Sequence, residues 1–152
     1  MRFVTIREIS VFLAIVACAI GCRFSILAAD PEPIGSQADF SAFWQKFKSA
    51  VIAGDKASIA EMTKFPLSMP YEVKAVKNKE NFLRRYDEVF KGEANAAQCF
   101  GKAEPHKQSD RQYDIYCPFK ETPEDKEDTP IRFIFELTKS GWKFVGLDNI
   151  NE

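Results

Sequence analysis

The stretch IRFIFELTKSGWKFVGLDNI, residues 131–150, decides the fold of this chain. Large apolar side chains recur at every second position from Ile131 to Leu137, and polar side chains fall between them. A period of two is the side-chain alternation of a β-strand with one buried face. Lys139-Ser140-Gly141 predicts a tight turn, and Trp142–Ile150 predicts the strand that returns. The stretch therefore predicts an antiparallel hairpin.

Helical periodicity dominates the first half of the chain. Ser36 and Asp39 have the spacing of a helix cap, and Gly54 ends the helix that they begin. A helix of this length buries one face when its apolar residues recur every three to four positions. The apolar stripe of this helix consists of Phe40, Phe43, Trp44, Phe47, Val51 and Ile52.

Two further helices are predicted downstream. Asp55 caps a short one, which stops before Phe65-Pro66 because the residue before a proline leaves helical geometry. Asn78 caps the other, and Gly92 ends it. The apolar face of this third helix consists of Phe82, Leu83, Tyr86, Val89 and Phe90.

Three more segments are predicted to be extended. Leu67–Val76 alternates apolar and polar side chains, and Pro70 makes it an edge strand. Gln98–Ala103 and Arg111–Phe119 form a hairpin around the turn-rich residues 105–110. Helices followed by a meander predict an α+β domain over residues 37–152, with N-terminal helices packed on one face of a curved antiparallel sheet.

The cysteines of the domain predict a disulfide. Cys99 and Cys117 are equidistant from Gln108, so they face each other if the two strands form a hairpin. The alternative is a pair of buried free thiols. Two sulfurs and one distant imidazole, that of His106, do not make a tetrahedral metal site, and we predict no metal.

Residues 1–29 have the pattern of an export signal. Arg2 and Arg7 precede the apolar run Val11–Gly21, and small residues follow at Ala28 and Ala29. The run is too short to span a membrane, which takes about 20 apolar residues. The pattern predicts an exported protein that is periplasmic, secreted or anchored to the envelope by a lipid.

Two modes of leader cleavage stay open. Cleavage after Ala29 leaves a soluble chain that starts near Asp30. Alternatively, the residues before Cys18 and before Cys22 both resemble the bacterial lipoprotein box, whose cysteine carries the lipid. In that case residues 30–36, with their two prolines, belong to a linker that tethers the domain to the membrane.

Charge excludes one class of partner. The whole chain has 21 basic and 22 acidic residues and a net charge of −1, and its leader is basic, so the exported part is more acidic still. Proteins that bind nucleic acid neutralise phosphates with clustered Lys and Arg, and no such cluster stands out in this sequence. We predict no nucleic-acid partner.

Several short motifs together resemble a known fold. They are Phe43-Trp44 with Phe47, Gly54-Asp55, Phe65-Pro66-Leu67, Phe82–Phe90, and Trp142-Lys143-Phe144. Over about Phe40–Ile150 the chain resembles the cystatin-like cone fold of the nuclear transport factor two-like (SnoaL-like) superfamily, in particular small exported bacterial proteins of unassigned function. The resemblance implies either an enzyme of the ketosteroid-isomerase or polyketide-cyclase type or a binding module without chemistry.

The enzyme alternative needs a carboxylate and a tyrosine in the pocket of the cone. Its candidates are Asp114 and Asp148, with Tyr71, Tyr86, Tyr113 and Tyr116. The alternation of the strands instead predicts Asp114 and Glu136 on a solvated face. His106, the single histidine, is predicted in a hairpin loop. We therefore predict no catalytic residue and no cofactor, and a non-catalytic binding module as the function.

Two kinds of ligand remain open for such a module. A small apolar ligand would bind in the mouth of the cone, near Phe43, Phe47, Phe133, Phe135 and Trp142, unless these rings only pack as core. An envelope protein would bind an exposed sheet face or the acidic loop, residues 121–130, whose charges are concentrated in Glu121–Asp128. That loop lacks the glycine and the spacing of a calcium loop.

Overall fold

A computed structural model describes residues 37–70 and 73–151 of the chain. The predicted leader with Cys18 and Cys22, the linker 30–36, the cap residue Ser36 and the candidate Tyr71 lie outside the described residues. The helices and strands of the described residues are, in chain order, α1 (Gln37–Ala53), α2 (Lys56–Glu61), β1 (Thr63–Ser68), α3 (Lys79–Arg84), α4 (Tyr86–Lys91), α5 (Ala96–Lys102), β2 (His106–Ser109), β3 (Gln112–Cys117), β4 (Ile131–Thr138) and β5 (Gly141–Asn149).

The predicted helix starts and stops are largely confirmed. Gly54 ends α1 with a φ of +68°, a conformation that glycine adopts without strain. Asp55 caps α2, because its carboxylate accepts a hydrogen bond from the backbone N–H of Ser58 at 3.1 Å. Asn78 caps α3 in the same way through Asn81. Ile52, predicted on the apolar stripe of α1, is instead 53% exposed.

The described strands form one open sheet in the order β1-β5-β4-β3-β2. The pairs β3–β4 and β4–β5 are antiparallel, as predicted, and β2 also pairs antiparallel with β3, although the predicted partner of β3 was Gln98–Ala103. Strand β1 runs parallel to β5, which the sequence analysis did not predict. A helical crossover separates β1 from the other strands in sequence, and such a connection allows two strands to run parallel.

Two predicted elements near the N-terminal half need correction. The strand predicted at Leu67–Val76 lies earlier, at Thr63–Ser68, and only a single bridge joins Leu67 to Val76. Pro66 fits there because β1 is an edge strand, where a missing N–H costs no ladder hydrogen bond. The predicted third helix is divided at Arg85 into α3 and α4, which turns Leu83 outward.

The segment Gln98–Ala103 is not a strand, because it belongs to helix α5. The Asn95 side chain caps this helix by accepting from the backbone N–H of Gln98, and the helix buries Ala96 and Phe100. Strand β2 lies further on, at His106–Ser109, so His106 is in a strand rather than in a loop.

The predicted disulfide is present, although its setting differs from the prediction. Cys99 and Cys117 are bonded, but the bond joins helix α5 to the end of β3 rather than two paired strands. Closing a loop of 18 residues contributes roughly 3 kcal/mol in the chain-entropy model. The bond therefore fixes α5 against the sheet.

The core lies between the helices and one face of the sheet, and it is built mostly of rings. The inward residues of β4 are those predicted from the alternation: Ile131, Phe133, Phe135 and Leu137 are all buried. The intervening residues of β4 are only partly buried along its whole length. No described helix covers that second face, which we call the helix-free face.

Candidate functional site

The helix-free face carries a polar network centred on Asp114. The register pairs Asp114 with Ile134, so the carboxylate points to this face. Gln112 and Tyr116 flank it on the same strand, while Arg132 comes from β4. Asp114 is nevertheless 0% exposed. A carboxylate buried on a sheet face that no described helix covers is the most unusual feature of this structure.

Three side chains bury Asp114 and bind it. The amide of Gln112 donates to its Oδ1 at 3.0 Å, and the hydroxyl of Tyr116 donates to its Oδ2 at 3.4 Å. The guanidinium Nη1 of Arg132 lies 3.8 Å from the same Oδ2. Both carboxylate oxygens are therefore occupied, as a buried charge requires.

The Arg132 guanidinium lies between two carboxylates from neighbouring strands. Besides the ion pair with Asp114, its Nη2 donates a hydrogen bond to Asp148 of β5, which lies opposite it in the register. Partial burial lowers the pKa of Arg132, but the hydrogen bond to Asp148 and the charges of both aspartates outweigh burial and raise that pKa. The arginine therefore stays charged and ties β3, β4 and β5 together.

The network extends to the edge strand β2. Gln108 donates to the Tyr116 hydroxyl at 3.3 Å, and the His106 ring lies edge-on to the Tyr116 ring, with centroids 5.3 Å apart. Tyr116 thus links the edge strand to the buried carboxylate. The network spans β2–β5, and the partly exposed side chains of Tyr116, Arg132 and Ile134 lie together on its surface.

The prediction that Asp114 lies on a solvated face was wrong. Its strand alternation was read correctly, but longer neighbours cover the short side chain. Glu136, predicted on the same face, is about half exposed, which confirms that prediction. The burial of Asp114 could have been predicted from the run Gln112-x-Asp114-x-Tyr116, which is followed by an arginine, Arg132, at an outward position of the next strand.

A carboxylate and a tyrosine, the pair that the enzyme alternative needs, do lie together, but not in the core between the helices and the sheet. Asp114 and Tyr116 meet on the helix-free face, whereas Tyr86 and Tyr113 are buried among the rings of the core. Burial raises the pKa of Tyr86, with smaller contributions from the charges of Asp87 and Asp55. A carboxylate whose oxygens are both bound by its own neighbours is a poor general base.

The five aromatic residues predicted to bind an apolar ligand lie together in the core. Phe47, Phe133 and Phe135 are fully buried, Trp142 is 4% exposed and Phe43 is partly buried. The ring centroids of Phe47 and Phe135 are 5.0 Å apart. A ligand at this position would have to displace these rings, and binding there stays a prediction.

The acidic loop lies at the opposite end of β3 and β4 from the turns that follow β2 and β4. All of Glu121–Asp128 is exposed. Lys102 of α5 pairs with Glu124 at 3.1 Å, and a cleft of about 240 Å³ lies between the loop and that helix. Backbone hydrogen bonds from Asp128 and Glu127 lower the pKa of Asp125. The loop is therefore anionic but partly paired with its own domain.

Neither a metal-binding cluster nor a membrane-spanning helix is found among the described residues. Within residues 37–70 and 73–151, no group of three or more His, Cys, Asp or Glu side chains is arranged to hold a metal ion. None of the helices in this part of the chain has the length and apolar character needed to cross a membrane.

Comparisons with known proteins give fold neighbours and no family. No protein-family model and no curated protein matches the sequence. Solved structures with similar folds include a cystatin-like domain of unknown function from Nostoc punctiforme, with 14% identity and a TM-score of 0.43 over 77% of this chain and 79% of that one. Another is an NTF-2 like protein of unknown function from Shewanella oneidensis, with 13% identity and a TM-score of 0.41 over 73% and 95%.

A third structural neighbour carries the name of an enzyme class. It is a ketosteroid isomerase-like protein from Erwinia carotovora atroseptica, with 15% identity and a TM-score of 0.43 over 73% of this chain and 92% of that one. The first two neighbours are described as cystatin-like and NTF-2 like, respectively. None of these likenesses assigns a function to this chain.

Proposed function

We propose that this chain is an exported, non-catalytic binding module that binds a folded protein partner through the helix-free face of its sheet. The observation that supports the proposal is the burial of Asp114 on that face, beneath side chains of its own strand and of β4. This network holds Tyr116 and Arg132 in place before any partner arrives.

A surface of this kind has two advantages for binding a protein. Tyrosine and arginine dominate the residues that carry binding energy at interfaces. Side chains already fixed by hydrogen bonds lose less conformational entropy on binding than free ones. The charges of Asp114 and Arg132 are paired internally, so a partner that covers them leaves no lone charge buried.

Site-specific photo-crosslinking in the native host tests this proposal. A photoreactive phenylalanine analogue would replace Ile134, which is partly exposed at the centre of the helix-free face. The matched control places the analogue at Gln45, which is exposed on α1, in the layer that packs on the other face. We expect Ile134 to give one crosslinked product, identified by mass spectrometry, and Gln45 to give none.

Two results would contradict the proposal. The same product from both positions would show unspecific proximity, and the absence of any product from Ile134 would leave the face without a partner. A crosslinked product of twice the mass of this chain would show that the face binds a second copy of the same chain instead of a different protein.

Export is part of the same proposal. The charge and apolar pattern of residues 1–29 supports it, and so does the Cys99–Cys117 bond, since disulfides persist in oxidising compartments. The intact mass of the protein purified from its host with the native leader tests export. We expect a chain that starts near Asp30 or at a lipid-modified Cys18 or Cys22. A mass that still includes Met1 and the full leader would contradict export.

A further inference from the structure

We infer that one end of the helix-free face contains a basic groove that binds an acidic segment of the protein partner. The groove has a volume of about 840 Å³ and lies at the end of the sheet where the turns after β2 and β4 are found. Its lining includes a single carboxylate, that of Glu136, and four basic side chains. The basic residues are Lys64, Arg111, Lys139 and Lys143. We call it the basic groove.

Most of the positive charge in the basic groove is not neutralised. Lys64 lies 3.9 Å from the carboxylate of Glu136, and Lys143 faces Glu136 across the strand pair and interacts with the charge of Glu61. Arg111 and Lys143 donate to the backbone carbonyls of Leu137 and Glu61, both at 2.7 Å, and these contacts orient the cations without cancelling their charge. Lys139 forms no ion pair with any described residue.

Cations elsewhere on the domain are more often paired. Lys91 binds Asp87 at 2.9 Å, Lys107 binds Asp110 at 2.8 Å, and Arg85 forms a two-pronged contact with Glu88. What distinguishes the groove is that its cations share one concave surface, which concentrates their field.

The fold separates the charges of this acidic protein. The acidic loop Glu121–Asp128 connects the far ends of β3 and β4, whereas the basic groove surrounds their near ends. The whole chain has a net charge of −1, so a positive groove arises only because the sheet collects basic residues from three separate segments, β1, the β2–β3 turn and the β4–β5 hairpin. A negatively charged ligand is thereby drawn to one end of the helix-free face and repelled from the other.

The chemistry of the groove favours carboxylates over phosphate. Three of its four cations are lysines, which act as point charges. The one arginine donates Nη2 to the Leu137 carbonyl, so the groove offers no free two-pronged guanidinium to grip a single anionic group such as phosphate. Hydroxyls of Ser109, Thr138 and Ser140 also line the groove. Spread cations and hydroxyls suit the separate carboxylates of an extended acidic peptide. The inference rests on the proposed function, since the groove continues the same face.

A binding assay with a defined peptide tests this inference. The probe is a fluorescein-labelled peptide of alternating glutamate and serine, and the same peptide with glutamine in place of glutamate is its control. Fluorescence anisotropy should show binding of the acidic peptide only. That binding should weaken between about 0.1 M and about 1 M salt, because the Debye length falls from about 10 Å to about 3 Å.

Charge-reversal variants locate the binding. The groove variant combines Lys64→Glu and Lys139→Glu, two exposed side chains. The control variant combines Lys46→Glu and Lys77→Glu, which change the net charge equally on other surfaces and are also exposed. We expect the groove variant to bind the acidic peptide at least about tenfold more weakly and the control variant to stay within about twofold of the native chain.

Three outcomes would overturn the inference: no binding by the native chain, equal losses in both variants, or tighter binding of a phosphoserine peptide or a sulfated polysaccharide than of the acidic peptide. The proposed function is tested separately. A crosslink at Ile134 without peptide binding refutes the groove alone, whereas peptide binding without that crosslink refutes the protein-binding face.

Discussion

Replacing Phe135 with alanine is expected to lower the free energy of unfolding by about 3–5 kcal/mol. Phe135 is fully buried, and its ring lies in contact with rings from both α1 and the sheet: Phe40, Phe43, Trp44, Phe47 and Phe144. Removing it leaves a cavity between rigid aromatic neighbours, which cannot collapse into the space without losing their own contacts. Chemical denaturation of both proteins measures the difference.

The matched control for this variant is Ile52→Ala. Ile52 is 53% exposed on α1, so its truncation should change the free energy of unfolding by no more than about 0.5 kcal/mol. A loss below about 1 kcal/mol for Phe135→Ala would show that the rings are not closely packed. In that case the small-ligand hypothesis becomes the better one.

The same pair of proteins tests that hypothesis directly. If the native interior accepts a small apolar molecule, an environment-sensitive apolar dye should respond to the native chain, and Phe135→Ala should alter the response. Equal dye uptake by both proteins would remove the main support for an apolar ligand site at Phe43, Phe47, Phe133, Phe135 and Trp142.

Replacing Arg132 with methionine is expected to lower the free energy of unfolding by about 3 kcal/mol. The variant keeps most of the apolar stem but removes the cation beside Asp114, whose carboxylate is completely buried. A buried charge without its counter-ion costs more than the ion pair itself contributes, because desolvation is no longer offset. Loss of the hydrogen bond to Asp148 adds a smaller effect at the surface.

A double-mutant cycle separates this cause from lost packing. Asp114→Asn removes the charge but retains oxygen and size, so Arg132→Met should cost about 1–2 kcal/mol less in the Asp114→Asn background than in the native one. Arg84→Met, at an exposed arginine of α3, is the control for loss of a surface cation. Additive effects of Arg132→Met and Asp114→Asn would contradict the coupling of the two charges.

The sequence alone predicted those features that depend on neighbouring residues. The alternation from Ile131 to Leu137 identified the buried face of β4, and the caps at Asp55 and Asn78 identified two helix starts. Hydrophobic periodicity and helix capping depend on residues a few positions apart, so both can be recognised from the sequence without knowledge of the tertiary structure. The pairing of Cys99 with Cys117 was also correct, since residues 37–152 contain two cysteines and allow one pairing.

Short segments with ambiguous local signals were assigned wrongly. Gln98–Ala103 was interpreted as a strand because a hairpin would place its cysteine opposite Cys117, yet the Asn95 cap and the burial of Phe100 against α1 make it helical. Strand β1 was placed too late because Pro66 was taken as a stop rather than as a member of an edge strand. The Asn95 cap was a local signal that was missed, whereas the contact of Phe100 with α1 and the pairing of β1 with β5 are tertiary.

The tertiary structure alone decided the two candidate binding features. Asp114 is buried because strand register places Arg132 beside it, and that register is a property of pairs of strands rather than of either sequence. Lys64, Arg111 and the pair Lys139 and Lys143 lie far apart in a chain that is acidic overall, and only the sheet order brings them to one groove. Local periodicity determines which face a side chain occupies, whereas its neighbours on that face depend on pairing between distant segments.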